Sequence, residues 1–324
     1  MKVLKYKDEF KSGWDDFLDK AKNSTFLFKR NFLEYHKDRF TDFSLVVQDE
    51  KDKIIAVMPA SLHGDTVISH GGITYGGLVL TEEVKLNRYL IIFRAILQFL
   101  AEENITTLEY KALPVFYTNL PAQEEEYVMF LLGAKTFRVD TSLTVDLKNP
   151  VPYQKRRLRS VKKAKKQNFR IEKTSDFNSF WTEVLTPNLE ARFGRKPVHS
   201  VEEITYLASC FPNQIYQINI LDGDQVVAGT TMFDMKTTAH AQYISANNFG
   251  RSSGALDMLF DYLIQEHYKH KQYFDFGICN EQSGRYINQG LLDWKEGFGG
   301  RTYVHKFYEI DPQKYVLLNE IIKE

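Results

Sequence analysis

The order of secondary-structure patterns repeats along the chain, and this repetition restricts the fold more than any single motif does. In the second half, residues 214–221 and 225–235 flank an Asp222-Gly223-Asp224 turn, which predicts a β-hairpin. A strand, a helix and another strand are predicted next, at residues 239–246, 254–267 and 273–277. In the first half the same order is predicted at residues 43–47, 53–60, 71–80, 86–103 and 106–110. Long strands are predicted at residues 136–147 and 301–310.

The order hairpin, strand, helix, strand occurs twice. This repetition predicts two related α/β domains. We expect each domain to be a mixed, mostly antiparallel sheet flanked by helices. The chain has 324 residues, which is enough for two domains. The predicted division lies between residues 150 and 151, so that the second domain, 151–324, begins with a basic helix.

Composition excludes several classes of protein. There are 42 basic and 42 acidic residues, so net charge does not favour nucleic acid or membrane, and any electrostatic function must be local. The chain contains two cysteines, which form neither a disulfide framework nor a zinc site, and no metal is expected. The first residues lack the apolar core of a signal peptide. These features predict a soluble cytoplasmic protein.

The two halves differ at the start of the matched helix. The second half has Arg251-Ser252-Ser253-Gly254-Ala255, where glycine allows backbone N–H groups to approach an anion and arginine adds charge. The first half has Thr81-Glu82-Glu83 there, which would repel phosphate. We therefore place a phosphorylated donor in the second half, on Arg251, Ser253, Gly254 and Ala255. The alternative is that Ser253 and Gly254 only cap a helix.

Titratable side chains cluster between the predicted strand at 273–277 and the polar loop after it. Asp275 ends that strand, and Glu281 lies in the loop, so either carboxylate could accept a proton from an amine. Asp275 could equally serve a structural role. Tyr243, on the strand beside the donor loop, could protonate a leaving group, or it could be a packed strand aromatic. By strand alternation, His240 faces the opposite side from Tyr243.

A series of short motifs resembles one branch of the GNAT acyltransferase superfamily. The motifs are KRRLRSVKKAKK, GRKPVHS, VVAGTTMF, AQYISANNFGRSSGALD, YFDFG and WKEGFGG. Together they are similar to the tandem-domain Fem-type aminoacyltransferases and to GNAT proteins of polysaccharide gene clusters. Arg251 and Gly254 match the superfamily's pyrophosphate loop, whereas Leu256 occupies its last small position. The long helical arm that Fem-type proteins often carry has no counterpart in this sequence.

The resemblance implies acyl transfer to an amine without a metal or a covalent enzyme intermediate. The donor would be acyl-CoA or aminoacyl-tRNA, with no permanently bound cofactor, and the acceptor an amine of a cell-envelope or polysaccharide precursor, such as a carrier-linked sugar. The family pattern places Lys295 at the cleft between the domains, where it would stabilise the oxyanion. The expected acceptor-binding residues are Arg192, His199, Tyr75 and Asn288. The basic loop that contains Arg192 and His199 could equally be an ordinary turn, and Tyr75 with its following glycines could be only a strand bend.

Residues 155–166 contain eight basic residues and no acidic residue. Leu158, Val161 and Ala164 recur at helical spacing, which predicts a helix with one cationic side. That side could contact a phosphorylated substrate, transfer RNA or an anionic membrane, or it could be a solvated linker. A non-catalytic protein that holds an anionic partner through this helix is the alternative to an acyltransferase.

Overall fold

The computed structural model describes residues 1–322, which divide into two compact units. The first unit contains residues 1–140 and 304–322, and the second contains residues 141–303. The predicted division lay after residue 150 and assigned the whole C-terminal segment to the second domain. In the structure, residues 141–150 pack with the second unit and residues 304–322 with the first.

The first unit is a mixed α/β unit. Its strands are β1 (Lys2–Lys5), β2 (Thr41–Asp42), β3 (Leu45–Gln48), β4 (Ile54–Met58), β5 (Ser61–His63), β6 (Thr66–Ile68), β7 (Val79–Leu80) and β8 (Thr107–Lys111). Its α-helices are α1 (Lys11–Asp19), α2 (Arg30–Leu33), α3 (Leu86–Glu102) and α4 (Glu124–Leu131), and short 3-10 helices cover Asp8–Phe10, Phe26–Phe28, Val115–Tyr117 and Pro312–Leu318. Strands β1, β3, β4 and β7 form one antiparallel sheet, and β6 pairs with β8 in parallel.

The helix predicted at residues 86–103 provides much of the core of the first unit. Tyr89, Phe93, Leu97 and Leu100 of α3 are buried, as their spacing predicts. They pack with apolar side chains of β3, β4 and β8 in one continuous core. The helix prediction is therefore confirmed, together with the face that it buries.

The strand predicted at residues 71–80 is wrong for most of its length, since only Val79–Leu80 is a strand. The preceding glycines form an irregular segment that lies against β6 and β8. The Gly76 N–H donates to the Lys111 carbonyl oxygen at 3.0 Å, and a Cβ atom on Gly76 would lie 1.7 Å from the Ser69 carbonyl oxygen. Glycine therefore serves close backbone approach here rather than a regular strand.

The second unit is also mixed α/β. Its strands are β9 (Lys135–Asp146, from Thr141 onward), β10 (Phe169–Thr174), β11 (Ile215–Asp222), β12 (Gln225–Asp234), β13 (Thr238–Ala246), β14 (Tyr273–Ile278), β15 (Asn280–Glu281), β16 (Tyr286–Ile287) and the first residues of β17 (Arg301–Ile310). Its α-helices are α5 (Lys155–Ala164), α6 (Thr186–Phe193), α7 (Val201–Cys210), α8 (Asn248–Ser253), α9 (Ala255–Tyr262) and α10 (Gln289–Gly297), and π-helical segments cover Phe180–Leu185 and Leu263–His267.

The main sheet of the second unit has the order β10-β11-β12-β13-β14-β9 and is antiparallel except between β13 and β14. The predicted hairpin is confirmed as β11 and β12, and β13 and β14 follow within two residues of their predicted bounds. Phe260 of α9 packs on Phe274 and Phe276 of β14, with ring centroids 5.8 and 5.1 Å apart. Mixed sheets flanked by helices confirm the predicted fold class.

Along residues 1–322, no helix combines the length and the apolar composition required to cross a lipid bilayer.

Candidate functional site

Pairing between β13 and β14 covers only three residues of each strand. The register joins Thr238 to Tyr273 and continues to His240 and Asp275, where it ends. The last part of β13 therefore runs on beyond its parallel neighbour and borders a cavity. This point in the sheet is where α/β folds commonly place ligands, because backbone and side-chain groups are accessible between separating strands.

The cavity has a volume of about 450 Å³ and lies entirely within the second unit. Its lining comes from α5, α6, the end of β13, the α8–α9 junction and the start of α10. The lining residues are Arg157, Ser160, Asn188, Arg192, Ile244, Ser245, Ala246, Arg251, Gly254, Leu256, Asp257, Asn288, Gly290, Leu291 and Trp294. Arg192, Arg251, Gly254 and Asn288 were predicted to bind donor or acceptor, so the fold brings four predicted site residues together.

Two exposed arginines give part of this lining a positive charge. The guanidinium of Arg251 donates to the amide oxygens of Asn188, at 2.7 Å, and Asn248, at 3.1 Å, rather than to a carboxylate. Partial burial lowers the pKa of Arg251, and the nearby charge of Arg192 lowers it further. An anion bound here would relieve the repulsion between the two guanidinium groups.

A third arginine of the lining is neutralised within the unit. The Arg157 guanidinium donates to both carboxylate oxygens of Asp257, at 2.8 and 2.7 Å. Trp294 donates its indole N–H to the same carboxylate at 2.7 Å. Arg157 therefore ties α5 to α9 and contributes little net charge to the cavity.

Gly254 separates α8 from α9. The helix predicted at residues 254–267 is observed as α9 and the π-helical segment that follows it, and α8 is an additional helix before Gly254. The φ of Gly254, +86°, is left-handed, and a Cβ atom there would lie 2.8 Å from Ser160 Oγ and 2.9 Å from the Ser160 carbonyl oxygen. Glycine is thus required both by the turn and by the approach of α5. Ser253 and Ala255, which were also predicted to bind the donor, are buried and lie outside the cavity lining.

Asp275 is buried and accepts hydrogen bonds on both carboxylate oxygens. Oδ1 accepts from the hydroxyls of Ser142, at 2.6 Å, and Thr144, at 2.9 Å, and from the Gly277 N–H at 3.0 Å. Oδ2 lies 2.7 Å from Nδ1 of His240. These contacts give Asp275 the geometry of a group that orients a histidine, as in other carboxylate–histidine pairs.

His240 is the functional candidate that sequence reasoning did not select. Its side chain is 16% exposed, and its Nδ1 faces Asp275, which favours the tautomer with hydrogen on Nδ1. Its Nε2 lies 2.9 Å from Oε1 of Gln242. Because the Nδ1–H tautomer makes Nε2 an acceptor, the two groups are complementary when the Gln242 amide is turned so that its NH₂ group donates. His240, Gln242 and Ile244 alternate along one side of β13. Ile244 lines the cavity, whereas His240 and Gln242 lie farther along the same strand and are not part of the lining.

Lys295 lies on α10, is 2% exposed and is not part of the cavity lining. Its ammonium donates to the carbonyl oxygens of Gly277, at 2.9 Å, and Ile278, at 2.8 Å. Burial lowers the pKa of Lys295, and burial raises the pKa of the neighbouring Cys279 thiol. These contacts give Lys295 a structural role in holding the end of β14, and its oxyanion role stays a prediction.

The other predicted residues lie apart from the cavity. Tyr243 is buried, and its hydroxyl oxygen lies 2.5 Å from Nδ1 of His199. Glu281 accepts from the Asn288 side-chain amide at 3.0 Å and thereby supports a lining residue. Tyr75 belongs to the first unit, where it is buried and its hydroxyl lies 3.1 Å from that of Thr25.

Solved structures with the same fold cover nearly the whole chain, from 96 to 100% of it. FemX superposes with a TM-score of 0.67 at 10% identity, over 100% of both chains. A conserved protein of unknown function from Bacteroides thetaiotaomicron gives 0.61 at 10% identity, over 96% of this chain and 99% of that chain. L-PGS from Bacillus licheniformis gives 0.60 at 12% identity, over 99% of this chain and 98% of that chain.

No protein-family model matches the sequence, and no curated protein matches it. At these identities the similarity defines the fold alone. The chain has the fold of FemX, and the Fem-type architecture that the sequence motifs indicate is confirmed at that level.

Proposed function

We propose that the second unit catalyses transfer of an acyl group from an activated, anionic donor to an amine. The observation that carries this proposal is the cavity beside the end of the β13–β14 pairing, with the guanidinium groups of Arg192 and Arg251 in its lining. The fold shared with FemX supports an acyltransferase in general.

The donor binds through its phosphate groups. The phosphates of acyl-CoA and of the 3′ end of an aminoacyl-tRNA are both matched by two guanidinium groups whose repulsion they relieve. Gly254 brings the junction of α8 and α9 to the cavity, and Asn288 adds a polar side chain at the start of α10. Arg192 and Arg251 hold the donor, whereas Arg157 maintains the wall behind it.

His240 accepts the proton that the amine loses. The amine nitrogen attacks the acyl carbonyl carbon, a C–N bond forms, and the bond to the leaving thiol or hydroxyl breaks. The proton from nitrogen passes to Nε2 of His240, which then donates it to the leaving group as that group departs. Asp275 is a positioning residue that keeps the other ring nitrogen protonated, which extends the predicted role of this carboxylate.

The acceptor is an amine of a cell-envelope or polysaccharide precursor, as the resemblance of the motifs implies. The alternative is a non-catalytic protein that uses the same cavity to hold an anionic ligand. An oriented carboxylate–histidine pair favours the enzyme, because anion binding requires cations and does not require a base on the adjacent strand.

The test is a transfer assay with mass-spectrometric detection. Acyl-CoAs and charged transfer RNAs are supplied as donors, with amino sugars and their nucleotide-linked forms as acceptors. Arg251→Gln should raise the donor KM, while Arg285→Gln, which removes an exposed arginine outside the cavity, should not. Donor binding without any product would identify a binding protein and contradict the catalytic proposal.

A further inference from the structure

Helix α5 has one face inside the second unit and one face in solvent. Val161 and Ala164 are buried, and Arg157 and Ser160 line the cavity. The opposite face carries most of the basic residues of the segment. Some of these basic residues have partners inside the second unit, and the others do not.

Four of the eight basic residues have partners within the second unit. The pairs are Arg156 with the Asp293 carbonyl oxygen, Arg157 with Asp257, Lys163 with the Ser252 carbonyl oxygen and Lys165 with Asp261, each at 2.7 or 2.8 Å. Arg156, Arg157 and Lys165 each lie beside a carboxylate that compensates their charge, whereas Lys163 is held by a neutral carbonyl oxygen.

The other four are Lys155, Arg159, Lys162 and Lys166. All are exposed, and within residues 1–322 their side chains make no hydrogen bond or ion pair. Their spacing of four, three and four residues places them in one row on one side of the helix. The row extends roughly 16 Å at 1.5 Å per residue. In a chain with equal numbers of acidic and basic residues, this row is a local concentration of uncompensated charge.

We propose that this row docks the second unit on an anionic lipid surface. Leu158, which lies beside the row, is 53% exposed and can enter the interface between headgroups and acyl chains. Three of the four cations are lysines, which attract anionic headgroups without requiring a fixed geometry. Single-stranded nucleic acid is bound largely by stacking on aromatic rings, and residues 155–166 contain no aromatic side chain.

The consequence for the site follows from the two faces of α5. The helix would lie along the lipid surface with the row outward, while Arg157 and Ser160 form part of the cavity wall on its inner side. The cavity would then be held about one helix diameter, roughly 10 Å, from the headgroups. The proposal does not depend on acyl transfer, because lipid binding is measured without substrate.

The experiment uses the full chain and vesicle sedimentation at low and physiological salt. One set of vesicles contains phosphatidylcholine alone, and the other contains phosphatidylcholine with phosphatidylglycerol. The test variant carries Lys155→Gln, Arg159→Gln, Lys162→Gln and Lys166→Gln. The control variant carries Lys20→Gln, Lys37→Gln, Lys51→Gln and Lys85→Gln, which remove equal charge from exposed positions of the first unit.

We expect the wild-type chain to bind the anionic vesicles only, and to release as salt rises. Each cation at the surface contributes roughly fivefold to partitioning onto anionic vesicles. The vesicle affinity of the test variant should therefore fall at least a hundredfold, while that of the control variant stays near the wild-type value. Leu158→Gln should weaken vesicle binding with no change in charge. Unchanged thermal melting confirms that each variant is folded.

Three outcomes would overturn the proposal. The first is no binding of the wild-type chain to either set of vesicles. The second is equal loss in the test and control variants, which would indicate a general charge effect. The third is tight binding of a single-stranded polyuridylate probe, lost in the test variant, with no vesicle binding, which would assign the row to RNA.

Discussion

Glu125 is a buried carboxyl group at the start of α4, and replacing it with glutamine should stabilise the first unit at neutral pH. The Tyr110 hydroxyl donates to its Oε2 at 2.7 Å and itself accepts from the Leu78 N–H at 2.8 Å. Burial raises the pKa of Glu125 from 4.5 to about 8. The carboxyl group is therefore mostly protonated in the folded chain at pH 7 and ionised in the unfolded chain.

The direction of the pH effect follows from that difference. The folded state binds the Glu125 proton more tightly than the unfolded state does. The contribution of Glu125 to the free energy of unfolding is therefore fully present below pH 4.5 and is lost as pH rises through about 8. One pKa unit corresponds to about 1.4 kcal/mol, so between pH 4.5 and pH 7 the free energy of unfolding falls by about 3 kcal/mol. Glutamine keeps an oxygen that accepts from Tyr110 and has no proton to lose. Glu125→Gln should therefore match the wild-type chain near pH 4.5 and exceed it by up to about 3 kcal/mol at pH 7.

The assay is hydrogen exchange with mass spectrometry on peptides from α4 and β8, between pH 5 and pH 8 and corrected for intrinsic exchange. Protection of these peptides should fall with pH in the wild-type chain and in the control Glu82→Gln, which changes an exposed carboxylate. It should fall less in Glu125→Gln. If the wild-type chain and Glu125→Gln show the same pH dependence, Glu125 is ionised in the folded state and the reasoning is refuted.

Four further predictions concern the second unit. His240→Gln should lower turnover by about a hundredfold or more with little change in donor KM, since general bases typically contribute that factor. Asp275→Asn should lower turnover less and change its pH profile, and an unchanged profile would contradict the positioning role. Lys295→Met should lower the melting temperature, because two partly buried carbonyl oxygens at the end of β14 lose their donor at a cost of about 2 kcal/mol; equal melting would show that the contact is dispensable. Gly254→Ala should destabilise more than Gly194→Ala, since both have positive φ but only Gly254 meets neighbouring atoms, and equal melting shifts would contradict the packing argument.

Local patterns in the sequence predict the hairpin of β11 and β12, the basic helix and the last strand with good accuracy. The bounds of β17, Arg301–Ile310, were predicted to the residue. Residues 71–80 also suggested a strand, but contacts with β6 and β8 determine their conformation. Tertiary packing of this kind leaves no periodic signal.

The candidate site was predictable where it consists of neighbours in the chain. Arg251 and Gly254 belong to one motif, and the structure places both at the cavity. His240 and Asp275 are brought together only by the parallel register of β13 and β14, which the sequence does not display. The sequence also carried no sign that Lys295 is buried, because its hydrogen-bond partners lie on β14 and not on its own helix.

The discontinuity of the first unit has a consequence for synthesis on the ribosome. Residues 307–310 of β17 pair with β8, so the first unit lacks one of its strands until after residue 303 has been translated. Residues 141–303 are continuous in the chain and emerge in full before that strand does. Vectorial synthesis would therefore complete the second unit before the first. During that interval the edge of β8 lacks its antiparallel partner, which makes the nascent first unit the part of the chain most exposed to misassociation.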